Sequence, residues 1–144
     1  MEGPREKRPN RFRKLIEHIS SCTGYDRLAY YSFSGKEKEI LYRECWRGSG
    51  ACPEATRVDP ELYDFLKESG RSVVANSREE TPLPGLFLDE TAESVLAVPV
   101  PEAGKEGPKG IFFLFSAAPY AFSGTMIQTI EELISRMLLL EEEP

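Results

Sequence analysis

The sequence predicts an α+β domain whose central sheet is antiparallel, and three observations support this prediction. Two pairs of strand-length apolar segments each flank a short polar turn, which is typical of a β-hairpin. Segments with apolar residues at helical spacing flank and separate these hairpins, so strands and helices do not alternate as in a doubly wound parallel fold. A chain of 144 residues is long enough for one domain with a substantial buried core.

The predicted domain begins with a helix and a hairpin. Apolar residues recur at helical spacing from Arg11 to Cys22, and Thr23-Gly24 ends this helix. Residues 27–34 and 39–46 are rich in aromatic and aliphatic side chains and flank the turn sequence Gly-Lys-Glu-Lys, which predicts two paired strands. Glycine and proline punctuate residues 47–58, so we expect a loop there.

A middle helix, a short strand and a long connection follow. Asp59 as N-cap, Pro60 in the first turn and Gly70 at the end give the middle helix clear boundaries. Residues 72–76 have the composition of a short buried strand. Residues 77–92 form a connection of a length that in compact domains tends to serve as a lid or a mobile segment.

The second hairpin and a terminal helix complete the domain. The two strand segments within residues 93–123 are apolar without clean alternation, so both of their faces need a cover. Ser123 is the expected N-cap of the last helix, whose broad apolar stripe predicts a helix partner and, through it, a homodimer. We expect the first and last helices on one sheet face, and the middle helix with the loops 47–58 and 77–92 on the other.

Composition and charge argue against several classes of function. No apolar run approaches the roughly 20 residues of a membrane span, and no secretion signal is present, so we expect a cytoplasmic protein. Three cysteines without a CxxC and a single histidine predict neither a disulfide framework nor a metal site. Residues 1–10 are a basic arm and residues 141–144 an acidic tail, but a nucleic-acid partner would need more basic surface.

Several segments, taken in order, resemble a GAF domain over about residues 11–140. They are DPELYDFLKESGRSVVANS, SVLAVPV and KGIFFLFSAAPYAFS, and the matching positions are Gly70, Val73, Ser94, Val98, Pro99, Gly110, Phe122 and Ser123. The resemblance implies a GAF-like (PAS/profilin-like) fold with the N- and C-terminal helices on one sheet face and a pocket on the other. It also implies a sensory or regulatory domain that binds a small molecule or a signalling protein.

Six residues are candidates for the ligand site, although the ligand and any cofactor stay unassigned. The family architecture places three of them around the pocket, on the middle helix, at the end of the short strand and in the long connection, while the other three lie at or after the end of the second strand. Their alternative roles are core packing for the aromatic residues and a solvated strand edge for the arginine. The candidates are Trp46, Arg47, Cys52, Tyr63, Asn76 and Phe87.

The chemistry known in this family finds little support in the residues. The segment FSAAPYAFSGTM lacks the Asn-Lys and Asp-Glu pairs of cyclic-nucleotide binders, and no cysteine is adjacent to a histidine, as bilin attachment usually requires. Free methionine-R-sulfoxide reductases use loop cysteines, but Pro53 follows Cys52 where that branch has glycine. We therefore predict a non-catalytic domain, with a pocketless protein-interaction scaffold and a reductase using Cys52 as alternatives.

Overall fold

The computed structural model describes residues 27–33, 40–46, 57–80, 83–88, 91–101 and 107–142. The first predicted helix, the basic arm and most of the loop 47–58 lie outside these residues. The described elements are the strands β1 (Arg27–Phe33), β2 (Ile40–Trp46), β3 (Val73–Ala75), β4 (Ser94–Pro101) and β5 (Pro108–Ser116), and the helices α1 (Pro60–Ser69) and α2 (Gly124–Glu142). The chain divides into two compact units: the sheet and α1 lie in residues 25–122, and α2 belongs to the other.

The five strands form one antiparallel sheet in the order β2-β1-β5-β4-β3. Both predicted hairpins are confirmed, since β1 pairs with β2 and β4 pairs with β5. The central strand, β5, is hydrogen-bonded on both sides, and its Phe113 lies opposite Ala29 of β1 and Ala97 of β4. The α+β class predicted from the sequence is therefore confirmed.

Both faces of β5 are buried. Successive side chains of a strand point to opposite faces, so Phe112 and Leu114 occupy one face while Phe113 and Phe115 occupy the other. All four are at most 2% exposed, as the absence of alternation in the sequence predicted. The face with Phe113 shares an apolar cluster with Leu62 of α1, and we call it the α1 face.

Local signals set the ends of α1, as predicted. The Asp59 carboxylate accepts a hydrogen bond from the backbone N–H of Leu62 at 3.1 Å, which satisfies a donor that has no partner within the helix. Gly70 adopts the left-handed conformation with φ of 65°, and its N–H donates to the carbonyl of Leu66 at 2.8 Å. These two caps fix the length of the helix that covers the α1 face.

α2 also begins where the sequence predicted. The Ser123 Oγ accepts a hydrogen bond from the Met126 N–H at 3.2 Å, and Ile130 and Ile134, one turn apart, are buried. Neither α1 nor α2 has the length and apolar composition that crossing a bilayer would require.

The connection from residue 77 to residue 92 contains more structure than its sequence indicated. It forms two 3-10 turns, Arg78–Glu80 and Pro84–Leu86, and Leu86 is fully buried in the cluster of the α1 face. The preceding strand is shorter than the predicted 72–76, because only Val73–Ala75 pair with β4.

Asp59→Ala should lower the free energy of unfolding by about 1 kcal/mol, because the Leu62 N–H loses its acceptor. Urea denaturation monitored by circular dichroism measures this change. Asp59→Asn keeps a capping oxygen and should stay close to the wild type, as should Asp64→Ala on the exposed side of the same helix. Equal losses in Asp59→Ala and Asp59→Asn would contradict the role of the cap.

Candidate functional site

Three aromatic side chains fill the centre of the α1 face. The Tyr31 ring meets Phe113 edge to face, with centroids 5.6 Å apart and an interplanar angle of 88°. The Phe115 ring lies parallel to that of Phe113 at a centroid distance of 5.8 Å. Both arrangements are favourable for aromatic quadrupoles, and they add to the apolar burial of the rings. The face where the family resemblance implied a pocket is thus occupied by β1 and β5 side chains.

A small cavity remains between this face and its cover. Its volume is about 20 Å³, enough for a single water molecule, whereas ligand pockets measure roughly 300–1,000 Å³. Among the described residues, its walls are therefore too close together to enclose an organic ligand. The lining residues are Tyr31, Ile40, Arg57, Val58, Asp59, Leu62, Gly85, Leu88, Ile111 and Phe113.

The long connection packs tightly against the start of α1 at one edge of this cavity. A β-carbon built on Gly85 would come within 2.6 Å of the Asp59 side chain, closer than real side chains approach one another. The residue that caps α1 is therefore also in contact with the 3-10 turn 84–86. This contact explains why a glycine stands at position 85.

Tyr63 and Asn76, two of the predicted ligand residues, lie at opposite ends of the sheet. Tyr63 is buried, and its hydroxyl is next to Gly107, just before the Pro101–Pro108 pair of β4 and β5. Asn76 follows the Ala75–Val95 pair. At about 3.3 Å per residue, β4 separates these pairs by roughly 20 Å. The structure therefore does not bring Tyr63 and Asn76 together.

Phe87, a third predicted residue, packs half-buried against the cluster to which Tyr63 belongs. The Arg78 guanidinium lies over its ring, 4.5 Å from the centroid, in a cation–π contact. The same guanidinium donates a hydrogen bond to the Ala92 carbonyl at 2.7 Å. Arg78 thus joins the start, middle and end of the long connection, a role that its sequence position did not reveal.

The other three predicted ligand residues are described in part or not at all. Trp46 ends β2, where its backbone lies opposite Leu28 of β1, but its side chain lies outside the described residues. Arg47 and Cys52 also lie outside them. Their assignment to a ligand site stays a prediction.

A cluster at the end of β5 was missed by the sequence analysis. The Tyr120 hydroxyl donates to the two carboxylate oxygens of Glu80, at 2.9 and 3.0 Å, and its backbone N–H donates to the Asn76 carbonyl at 2.8 Å. The Ser94 hydroxyl donates to the Ala118 carbonyl at 2.7 Å. Because Tyr120 and Glu80 are 40 positions apart, no local pattern in the sequence announces their contact.

The titration of Tyr120 follows from this geometry. The hydrogen bond to Glu80, and then the negative charge of that carboxylate, raise the pKa of the Tyr120 hydroxyl above its usual value. The side chain is 61% exposed, so solvent screens the interaction.

The described residues form no cluster of metal-binding side chains and leave no buried polar side chain without a hydrogen bond. No three of their histidine, cysteine, aspartate and glutamate side chains come together as metal ligands would. Every buried side-chain nitrogen or oxygen in this part of the chain has a hydrogen-bond partner. Among the described residues, the α1 face therefore has no buried side-chain nitrogen or oxygen without a hydrogen bond.

Comparison with known proteins identifies the fold. No protein-family model matches the chain, and no curated protein matches it significantly. Solved structures do match. The cyanobacteriochrome receptor PixJ is similar at 16% identity with a TM-score of 0.69, and the match covers 95% of this chain and 97% of that one. A GAF domain/HD domain protein from Geobacter sulfurreducens matches at 16% identity with a TM-score of 0.65, and the match covers 91% of this chain and 89% of that one. At these identities the likeness shows the fold alone, which is the GAF fold that the sequence resembles.

An enzyme is also among the similar structures. The free methionine-R-sulfoxide reductase from Neisseria meningitidis, solved in complex with its substrate, matches at 19% identity with a TM-score of 0.62. The match covers 79% of this chain but only 65% of the enzyme's length.

Gly107→Ala should destabilise the protein by about 1–3 kcal/mol, because the new methyl group would overlap the Tyr63 hydroxyl. In a Tyr63→Phe background the same change should cost less, since the overlapping oxygen is gone and only the ring carbon Cζ, 2.9 Å from the new β-carbon, still crowds it. Urea unfolding of the four variants gives the coupling free energy. Gly124→Ala, whose β-carbon meets nothing within 4 Å, is the control and should not destabilise. Additive effects in the cycle would disprove the contact.

The stabilisation that Tyr120 gains from Glu80 should disappear at alkaline pH. Because folding raises the pKa of Tyr120, its contribution is complete below about pH 10 and declines as the pH rises through the folded-state pKa. Urea unfolding from about pH 8 to about pH 11 should show the difference between the wild type and Tyr120→Phe shrinking at the upper end. In a Glu80→Gln background, the effect of Tyr120→Phe should be smaller at neutral pH. A difference that stays constant with pH would rule the interaction out as its source.

Proposed function

We propose that this chain is a non-catalytic regulatory domain that acts through contact with protein rather than by enclosing a small molecule. The observation that carries the proposal is the packing of Phe113 and its neighbours on the α1 face, where the described residues enclose a cavity of about 20 Å³. Similar folds occur in the cyanobacteriochrome receptor PixJ and in the GAF domain of a two-component sensor histidine kinase, so a regulatory role suits the architecture. Of the functions considered from the sequence, the pocketless scaffold fits this geometry best.

The energetics of the α1 face support the same proposal. Admitting a ligand of ordinary size would displace Phe113 and Leu86 from the core, and exposing two such side chains costs about 3–6 kcal/mol. A cost of about 5 kcal/mol lowers the apparent affinity for the ligand by roughly 4,000-fold. The 3-10 turn at residues 84–86 would also have to separate from Asp59.

A second copy of the chain is the partner we propose first. The apolar stripe of α2 repeats at spacings of four and three residues through Met137 and Leu140, which is the pattern of a helix that packs on another helix. We propose a homodimer through the terminal helices, through which a signalling protein could sense the state of the domain. The odd number of cysteines, without a disulfide framework, supports a cytoplasmic location.

Native mass spectrometry of the protein purified from its own source tests both parts of the proposal. We expect a dimer without any reproducible added mass. The variant Met137→Glu/Leu140→Glu should give monomers, because charges in the helix interface oppose association, whereas Ser135→Glu on the exposed side of α2 should remain a dimer. A retained small molecule would contradict the pocketless proposal, and a monomeric wild type would contradict the dimer.

A reductase is the second candidate, because a substrate-bound methionine-R-sulfoxide reductase shares the fold and this sequence has Cys45 and Cys52. A thiolate at Cys52 would attack the sulfoxide sulfur and, with a proton, leave as a sulfenic acid that carries the oxygen, which releases methionine. A second cysteine would then condense with the sulfenic acid to give a disulfide and water, and dithiothreitol would reduce the disulfide. We expect no turnover of free methionine-R-sulfoxide with dithiothreitol as reductant. Turnover that is lost in Cys52→Ser but kept in Cys22→Ser would replace the regulatory proposal with this enzyme.

A further inference from the structure

We propose that Tyr120 is a latch that makes the start of the long connection, residues 77–80, and the turn before α2, residues 117–122, open and close as one cooperative unit. The latch consists of Tyr120 with its two partners, Glu80 and Asn76. The inference concerns the isolated sheet unit and goes beyond the proposed function, because it does not require a ligand or a protein partner.

The side chain and the backbone of Tyr120, which follows β5, are both bound by residues that lie between β3 and β4 in the sequence. Its hydroxyl binds both oxygens of the Glu80 carboxylate, and its N–H binds the carbonyl of Asn76. A hydrogen bond to a charged acceptor is stronger than one between neutral groups. Opening the turn therefore breaks the contacts of the side chain and the backbone together.

The backbone of Tyr120 is in a conformation that a bulky residue rarely adopts. Its φ is 56°, in the left-handed region where the β-carbon crowds the chain. Such a conformation persists when the surrounding contacts over-determine it, and here the Asn76 carbonyl and the Glu80 carboxylate supply those contacts. Loss of the side-chain contact should thus release the backbone of the turn as well.

Neighbouring contacts extend this unit along both segments. Arg78 lies two positions before Glu80, the partner of Tyr120. Its guanidinium joins the start of the long connection to Ala92 at the end of the connection. On the side of the turn, the Ser94 hydroxyl binds the Ala118 carbonyl. Several neighbouring hydrogen bonds therefore hold the two segments, and contiguous segments of this kind can open together as one cooperative unit.

The latch is also accessible. Tyr120 is 61% exposed, so another protein can reach its ring without prior unfolding. Ser123, the N-cap of α2, follows three positions later. A protein that binds the Tyr120 ring would therefore contact the segment that precedes α2.

Hydrogen–deuterium exchange with mass spectrometry tests the latch in the full chain. Tyr120→Phe removes only the hydroxyl, and we expect exchange to become roughly 2- to 10-fold faster in residues 77–80 and in residues 117–122 alike. Glu79→Gln changes the exposed carboxylate beside Glu80 and should leave both segments unchanged. Exchange in β5 should remain slow in both variants, which shows that the fold is intact.

A double-mutant cycle distinguishes a latch from two independent effects. If Tyr120 and Glu80 act together, Glu80→Gln should accelerate exchange in the same two segments, and adding Tyr120→Phe should then have little further effect. Faster exchange in one segment only, no change in either, or additive effects of the two substitutions would overturn the proposal.

Discussion

The burial of β5 on both faces is the constraint on which the sheet unit depends. Its nine residues form the middle strand, and no side chain from Ile111 to Phe115 is more than 2% exposed. A strand of this kind must be flanked by paired strands and covered above and below, because its backbone and its side chains both need partners. The pairing with β1 and β4 meets the first need, and α1 with the long connection covers the face of Phe113.

On the α1 face, side chains of the sheet, α1 and the long connection pack together. A GAF fold can leave space between its sheet and its cover, and function follows from what occupies that space, not from the fold itself. Here Tyr31, Phe113 and Leu86 occupy it. These contacts connect α1, the sheet and the described part of the long connection.

Features encoded in a few neighbouring residues were predictable, and features that depend on distant segments were not. The caps of α1 follow from Asp59, Pro60 and Gly70, whose preferences act within one or two turns. Bulky side chains at successive positions of β5 likewise predicted burial on both faces. The separation of Tyr63 from Asn76 and the contact of Tyr120 with Glu80 depend on the register of the sheet, which composition does not specify.

The brevity of β3 has a consequence for how the molecule behaves at high concentration. β3 lies at an edge of the sheet and pairs with β4 through only Val73, Val74 and Ala75. A sheet edge presents backbone groups that can recruit a foreign strand, and a very short edge strand is one way in which proteins limit such recruitment. This edge therefore offers few backbone groups for pairing with a strand of another molecule. An insertion that lengthened β3 would make the chain more prone to aggregate.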